Sequence, residues 1–140
     1  EAGASVTAIA ERLGAPILTT IAGKGVVRAD HPLCLGARMP HAESKRLMRD
    51  ADVILAVGTE ISETDLWDAS IELPGKVIRV DIDPASLARP HGAAVAILGD
   101  AKPALDAILE VLPAEAAADI EEQILIAVVA VHYGTVSVET

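Results

Sequence analysis

The sequence predicts an α/β domain of Rossmann-like, three-layer form, with a mostly parallel sheet of about six strands flanked by helices. Three observations predict it. Strand-sized apolar runs alternate with helix-sized connections, and that order calls for right-handed crossovers between parallel strands. Apolar residues make up 51% of the chain, yet it holds one Trp, one Tyr and no Phe. Ala, Val, Ile and Leu must therefore fill the interior, which suits strands buried on both faces. Finally, 140 residues match a single domain of about 100–150 residues.

The elements follow in chain order. Val6, Ile9, Ala10 and Leu13 recur at i, i+3, i+4 and i+7 and predict a helix over 5–14. Ser5 is placed to cap its start, Gly14 to take the left-handed exit, and Pro16 forbids continuation. Ile17 to Thr20 reads as a short strand. Ala22-Gly23-Lys24-Gly25 breaks regularity, Asp30-His31-Pro32 turns, and Leu33 to Gly36 forms a second short strand. His41 to Asp50, with Leu47 and Met48 among charged residues, predicts a surface helix. Val53 to Gly58 is an apolar run closed by glycine and reads as a strand buried on both faces. Lys76 to Asp83 and Val95 to Asp100 predict two more strands. Leu105, Ile108, Leu109 and Leu112 repeat the helical spacing until Pro113 stops it. Beyond an Ala-rich link, Ile124 to Val131 is rich in β-branched residues, and Thr135 to Val138 alternates like a short edge strand.

Composition excludes several classes. A formal charge of −10 argues against nucleic acid, whose phosphates need clustered Lys and Arg. Cys34 is the only cysteine, so no intrachain disulfide forms and nothing points to an oxidising compartment. The longest apolar run, Ile124 to Val131, falls well short of the ~20 residues of a membrane helix. No signal or transit pattern opens the chain, and a soluble, cytoplasmic protein is expected. Because it starts at Glu1 without Met, the chain is expected to be a piece of something longer.

Ligands of open α/β sheets bind beyond the carboxyl ends of the strands. The residues there are Thr20 to Gly25, Gly36 to Arg38, Gly58 to Glu60, Asp81 to Asp83, and Gly99-Asp100. Gly58 and Gly99 are either turn glycines or points of close backbone approach to a flat ligand. Asp83 precedes Pro84 and reads as a helix cap, whereas Asp81 is placed either structurally or to bond a ribose. Lys24 has no phosphate loop around it: G-x-x-x-x-G-K-[ST] requires glycine at 18 and Ser or Thr at 25, where the chain has Leu18 and Gly25. A G-x-G-x-x-G fingerprint also fails, since Gly23-Lys24-Gly25 runs into Arg28. Glu60, Glu63, Asp65 and Asp68 crowd one segment, either as a solvated acidic loop or as carboxylates for acid–base work. Trp67 beside them either anchors that loop or faces another subunit. His31, His41, His91 and His132 lack the spacing of a zinc site, Cys34 reads as a small core residue, and no catalytic triad is nameable. Neither catalytic nor metal-binding residues are expected.

Five segments together carry a resemblance. Leu13 to Thr20, Gly23-Lys24-Gly25, Ala29 to Gly36, Ala51 to Gly58 and Val80-Asp81-Ile82-Asp83-Pro84 make the chain similar to the middle domain of thiamine diphosphate-dependent enzymes, of the acetolactate synthase and 2-oxo acid decarboxylase group. The resemblance spans roughly Ser5 to Leu112. It implies a non-catalytic central domain serving as scaffold and subunit interface in a homo-oligomer, partnered by the enzyme's other domains. Thiamine diphosphate and magnesium would sit between the first and third domains, which carry the family's activating glutamate and its metal-binding G-D-G motif. The middle domain binds FAD in some members, ADP or a similar nucleotide in others, and nothing in many. By similarity Thr20, Ile21, Gly36, Gly58, Asp81 and Asp83 would line the nucleotide groove. Gly36-Ala37-Arg38-Met39-Pro40-His41 departs from the glycine-rich stretch of the FAD-binding members, which weighs against flavin. Two other functions compete: a free-standing nucleotide-binding module, and an engineered structural or oligomerising domain whose tail drives association.

The resemblance divides the chain into a middle-domain-like unit over 1–116 and an atypical tail over 117–140. In the family a central strand precedes the first helix, but this chain starts at the helix. A missing central strand would bare two ladders of backbone donors and acceptors. The expectation is that Ile124 to Val131 supplies that strand, within the chain or by exchange with a neighbour. Deleting residues 117–140 should then abolish the cooperative unfolding transition followed by circular dichroism; a stable, monomeric truncation would contradict it.

Overall fold

The computed structural model describes residues 2–68, 71–88, 91–116 and 123–128. Its helices are α1 (Ala2–Leu13), α2 (Ala42–Asp50), α3 (Glu63–Leu66), α4 (Pro84–Ala88) and α5 (Ala101–Val111). Its strands are β1 (Ile17–Thr19), β2 (Cys34–Gly36), β3 (Val53–Val57), β4 (Lys76–Asp81), β5 (Val95–Leu98) and β6 (Ile124–Val128). The described strands form one sheet in the order β2-β1-β6-β3-β4-β5. Every pairing in it is parallel. The fold is the α/β, Rossmann-like arrangement that the alternation predicts.

Two apolar cores lie on the two faces of this sheet, and the pleat sorts residues between them. On β3, Leu55 and Val57 join one core while Ile54 and Ala56 join the other. On β1, Ile17 and Leu18 divide in the same way. The first core is closed by Val6, Ile9 and Ala10 of α1 and Leu105 of α5, with Ile126 of β6 fully buried within it. Met48 of α2 and Leu66 of α3 help close the second. Met48 has no exposed surface, so α2 is a covering helix as well as a surface one.

α1 already includes Ala2, the first described residue, ahead of the predicted cap at Ser5. Ala2 and Val6 are both buried, so packing carries the helix back past the serine. A Cβ on Gly3 would come within 2.0 Å of the Val26 carbonyl oxygen, so the first turn lies against that loop. Ser5 instead donates its hydroxyl to Asp106 Oδ1 of α5 at 2.5 Å. At the other end Gly14 has φ of 63° and Ala15 N–H donates to Ala10 O, the Schellman exit. Arg12 donates to the Leu109 and Leu112 carbonyls at 2.7 and 3.1 Å, which satisfies the end of α5 and ties the two helices together.

β6 occupies the middle of the sheet. Its register sets Ile126 beside both Ile17 of β1 and Leu55 of β3. Asp52 and Val53 N–H groups donate to the Gln123 carbonyl at 2.9 and 3.2 Å, and Ile126 N–H donates to Pro16 O at 3.0 Å. Gln123 N–H in turn donates to the Asp52 carboxylate at 2.8 Å. The remainder of the predicted strand (129–131), the edge strand predicted over 135–138, and His132 lie outside the described residues.

Two expectations are corrected. Trp67 is 75% exposed and does not anchor its loop to the body; Leu66 and Ile61, both buried, do so instead. Glu63 to Leu66 forms a helix where an acidic loop is expected, because Ser62 and Asp65 build a reciprocal capping box. Replacing Ile126 by Ala should lower the unfolding free energy by about 2–5 kcal/mol in a urea titration. Val111→Ala, at a site 80% exposed, should change it by less than ~0.5 kcal/mol.

Candidate functional site

The carboxyl ends of the strands gather the loops in which the sequence places its candidates. After β1, Thr20 accepts the Gly23 N–H on its hydroxyl at 3.1 Å, a turn that brings the backbone round at Gly23. Gly36, closing β2, has φ of 72°, and Gly58, after β3, has φ of 63°. Both take a left-handed conformation that favours glycine. Their turn role is thereby accounted for.

Asp81 and Asp83 face their own backbone. Asp81 Oδ1 accepts the Asp83 N–H at 2.9 Å. Asp83 Oδ1 accepts the Ala85 N–H at 2.9 Å, capping α4 with Pro84 at its first position as the sequence predicts. The Ser86 hydroxyl lies 3.3 Å from both Asp83 Oδ2 and Glu60 Oε1, which links the ends of β3 and β4.

The acidic residues after β3 are dispersed among separate tasks. Asp65 Oδ2 takes the Ser62 N–H and hydroxyl at 3.2 and 3.0 Å. Asp68 pairs with Lys45 at 3.2 Å. Among the described residues no group of three His, Cys, Asp or Glu is placed to hold a metal ion.

Arg79 is the residue that sequence reasoning missed. It lies in the middle of β4 with 1% of its surface exposed. Its guanidinium donates to the Thr59 carbonyl at 2.7 Å, the Glu60 carbonyl at 3.2 Å and the His91 carbonyl at 2.9 Å. Burial pushes its pKa below the ordinary value, against the opposing pull of Asp81 and Glu60. The cation is nevertheless retained, because guanidinium does not deprotonate in proteins. His91 is held below the usual histidine range by burial and by the Arg79 charge. The signal was present: one charged residue interrupts an otherwise apolar alternation in Val77-Ile78-Arg79-Val80.

The clamp holds a strained loop. Ile61 is fully buried at φ of 51°, an unfavourable conformation for a β-branched residue. Its N–H donates to the Thr59 hydroxyl at 3.0 Å, directly beside the carbonyls that Arg79 fixes. Such a conformation costs about 1–3 kcal/mol and persists where neighbours over-determine it.

Beside this loop a cleft of about 300 Å³ opens between the ends of β1 and β2 and the start of α3. Thr20 and Ile21 line it, as do Thr19, Ala22, Met39 and Asp65. Gly36 adjoins it through Ala37. Gly58, Asp81 and Asp83 are not among its walls; they sit on the β3 and β4 side. The six predicted groove residues thus divide into two groups. Thr19, also missed in the sequence, is 2% exposed, and its hydroxyl has no hydrogen-bond partner among the described residues.

This topology, with its loops gathered at one sheet end, agrees with what sequence comparison finds. Residues 1–108 match the central domain of thiamine pyrophosphate enzymes. The chain belongs to that family. It is 45% identical over 115 residues to a probable 2-ketoarginine decarboxylase of Pseudomonas aeruginosa, covering 82% of this chain and 21% of that protein. It is 36% identical over 107 residues to a probable acetolactate synthase large subunit of Methanocaldococcus jannaschii, covering 74% and 18%. A pyruvate oxidase of Lactiplantibacillus plantarum is 31% identical over 111 residues, covering 78% and 18%. The chain therefore spans about a fifth of the length of these relatives. As a central domain it does not fit thiamine diphosphate and magnesium on its own. At its ligand end Asp65 and Asp83 cap helices and Asp68 pairs with Lys45, and among the described residues no three His, Cys, Asp or Glu side chains are grouped for a cation.

Replacing Arg79 by Met should lower the unfolding free energy by about 3 kcal/mol, the upper range for hydrogen bonds to a charged group. Arg46→Met, at a site whose side chain is 81% exposed, should change it by less than ~0.5 kcal/mol. Denaturant titration of both variants checks the difference.

Proposed function

We propose that this chain acts as the non-catalytic central domain of a thiamine diphosphate-dependent enzyme of the acetolactate synthase or 2-oxo acid decarboxylase type. In the whole enzyme, carbon–carbon bond chemistry would belong to the cofactor, with protein groups supplying position and electrostatics. Thiamine diphosphate and magnesium would be held by the other domains. This domain would contribute a scaffold, contacts to those domains and to further subunits of a cytoplasmic homo-oligomer, and a nucleotide groove.

The observation that carries this reading is the commitment of the polar groups at the ligand end. Asp65, Asp81 and Asp83 each accept from nearby backbone N–H groups, and Arg79 spends its donors on loop carbonyls. Groups bound in this way hold the loops of a framework in place. The match over residues 1–108 and the absence of a helix long and apolar enough to cross a membrane among the described residues agree with it. Thr20 and Ile21, on the wall of the cleft, are the strongest of the proposed groove residues; Gly36, Gly58, Asp81 and Asp83 would shape the loops around it.

The purified chain, supplied with thiamine diphosphate, magnesium and either pyruvate or 2-ketoarginine, should release no carbon dioxide above the buffer rate. Protein-dependent turnover would overturn the reading.

A further inference from the structure

His31 is held at both of its ring nitrogens. Nε2 lies 3.0 Å from Glu11 Oε1 on α1, and Nδ1 lies 3.2 Å from the Leu33 nitrogen at the entry to β2. The side chain is 16% exposed. A backbone N–H only donates, so Nδ1 must be the acceptor for Leu33. In the neutral ring the single proton then belongs on Nε2, where it donates to the Glu11 carboxylate.

The same geometry decides what acid does. A second ring proton enters at Nδ1, the nitrogen toward which the Leu33 N–H already points, and two donors do not make a hydrogen bond. Leu33 loses its acceptor. At Nε2 the change is the opposite one, because the charged ring meets Glu11 as an ion pair. The carboxylate therefore holds the ring to α1 in both protonation states, whereas Leu33 is bonded in the neutral state alone. The other charged groups beside the ring, Arg28 and Asp30, pair with each other at 2.7 Å in exposed positions, where solvent screens them. The Asp30 carboxyl is held below its ordinary range by the Arg28 hydrogen bond first and only last by the His31 charge. β2 itself brings no charged residue.

What the ring holds is a lightly built strand. β2 has three residues, ends the sheet and pairs with β1. The Leu33 carbonyl accepts the Ile17 N–H at 2.7 Å, so the Leu33 peptide joins the two strands, and β2 runs on into Ala37 and Met39 of the cleft wall. We infer that His31 is a pH-operated latch: neutral, it ties α1 to the start of β2; protonated, it keeps α1 and releases β2. The local stability it supplies is present while the ring is neutral and is lost as falling pH charges it. This goes beyond the central-domain reading and does not rest on it.

Long-range nitrogen–proton NMR spectra of the full chain, recorded from about pH 8 to pH 5, the interval in which histidines change charge, test the inference. At the alkaline end Nε2 should carry the proton and Nδ1 should be bare. As the ring charges, the Leu33 and Ile17 amides should lose at least about tenfold in hydrogen-exchange protection after correction for intrinsic rates, which is ~1.4 kcal/mol of local opening. The amides of β3 should keep theirs. His31→Asn offers a carbonyl in place of Nδ1 and does not titrate, so it should hold Leu33 protection level across the interval. A proton on Nδ1 at the alkaline end, Leu33 protection unchanged while the ring charges, or a His31→Asn chain that loses it over the same interval would each overturn the inference.

Discussion

The structure depends on one constraint: the facing backbone ladders of β1 and β3 must both be paired, and they stand one strand apart. In this chain β6 fills that interval, with its register fixed against both neighbours at once. Backbone groups buried without partners are costly, so the sheet is whole only when residues far apart in the sequence have met. Once β6 is in place, Ile126 completes the core beneath α1 and α5. The two edge segments, β2-β1 and β3-β4-β5, then share a single framework. The loops at their carboxyl ends are thereby held in fixed relation to one another, and the cleft is a consequence of that relation.

A second device acts at the ligand end. Arg79 reaches from the sheet to carbonyls on both the β3–β4 connection and the segment before β5. It exchanges the hydration of a buried cation for three carbonyl contacts, and in doing so stabilises a loop that contains Ile61 in a left-handed conformation. Strain of this kind is found where surroundings enforce it. At the same end the Thr19 hydroxyl has no hydrogen-bond partner among the described residues. A framework built for stability alone would contain neither, and both lie on the side where open α/β sheets bind ligands.

Much of the fold was legible because it rests on periodicity. The i, i+3, i+4 spacing of α1, the unbroken apolar run of β3 and the Asp83-Pro84 start of α4 each report a local physical preference. The extension of α1 back to Ala2, past Ser5, was not legible, because burial against the Val26 loop favours it and no local signal at Ser5 reports that. The four-residue α3 was read as loop for a similar reason: it depends on the reciprocal bonds of Ser62 and Asp65, which acidic composition conceals. At the candidate site, Thr20 and Ile21 were visible from their place after a strand. Arg79 was marked only as a charge interrupting an apolar strand, and Thr19 not at all, because the partners of a buried guanidinium or hydroxyl are properties of tertiary surroundings. Of the acidic residues that drew notice in the sequence, Asp65 caps α3, Asp68 pairs with Lys45 and Glu60 accepts from Ser86.

The most direct test of this account is a set of cross-strand backbone NOEs in the isotope-labelled full chain. Residues 124–128 should show parallel-strand contacts to both 17–19 and 53–57, with Ile126 close to Ile17 and Leu55. Contacts running directly between 17–19 and 53–57, or an antiparallel pattern for 124–128, would contradict it.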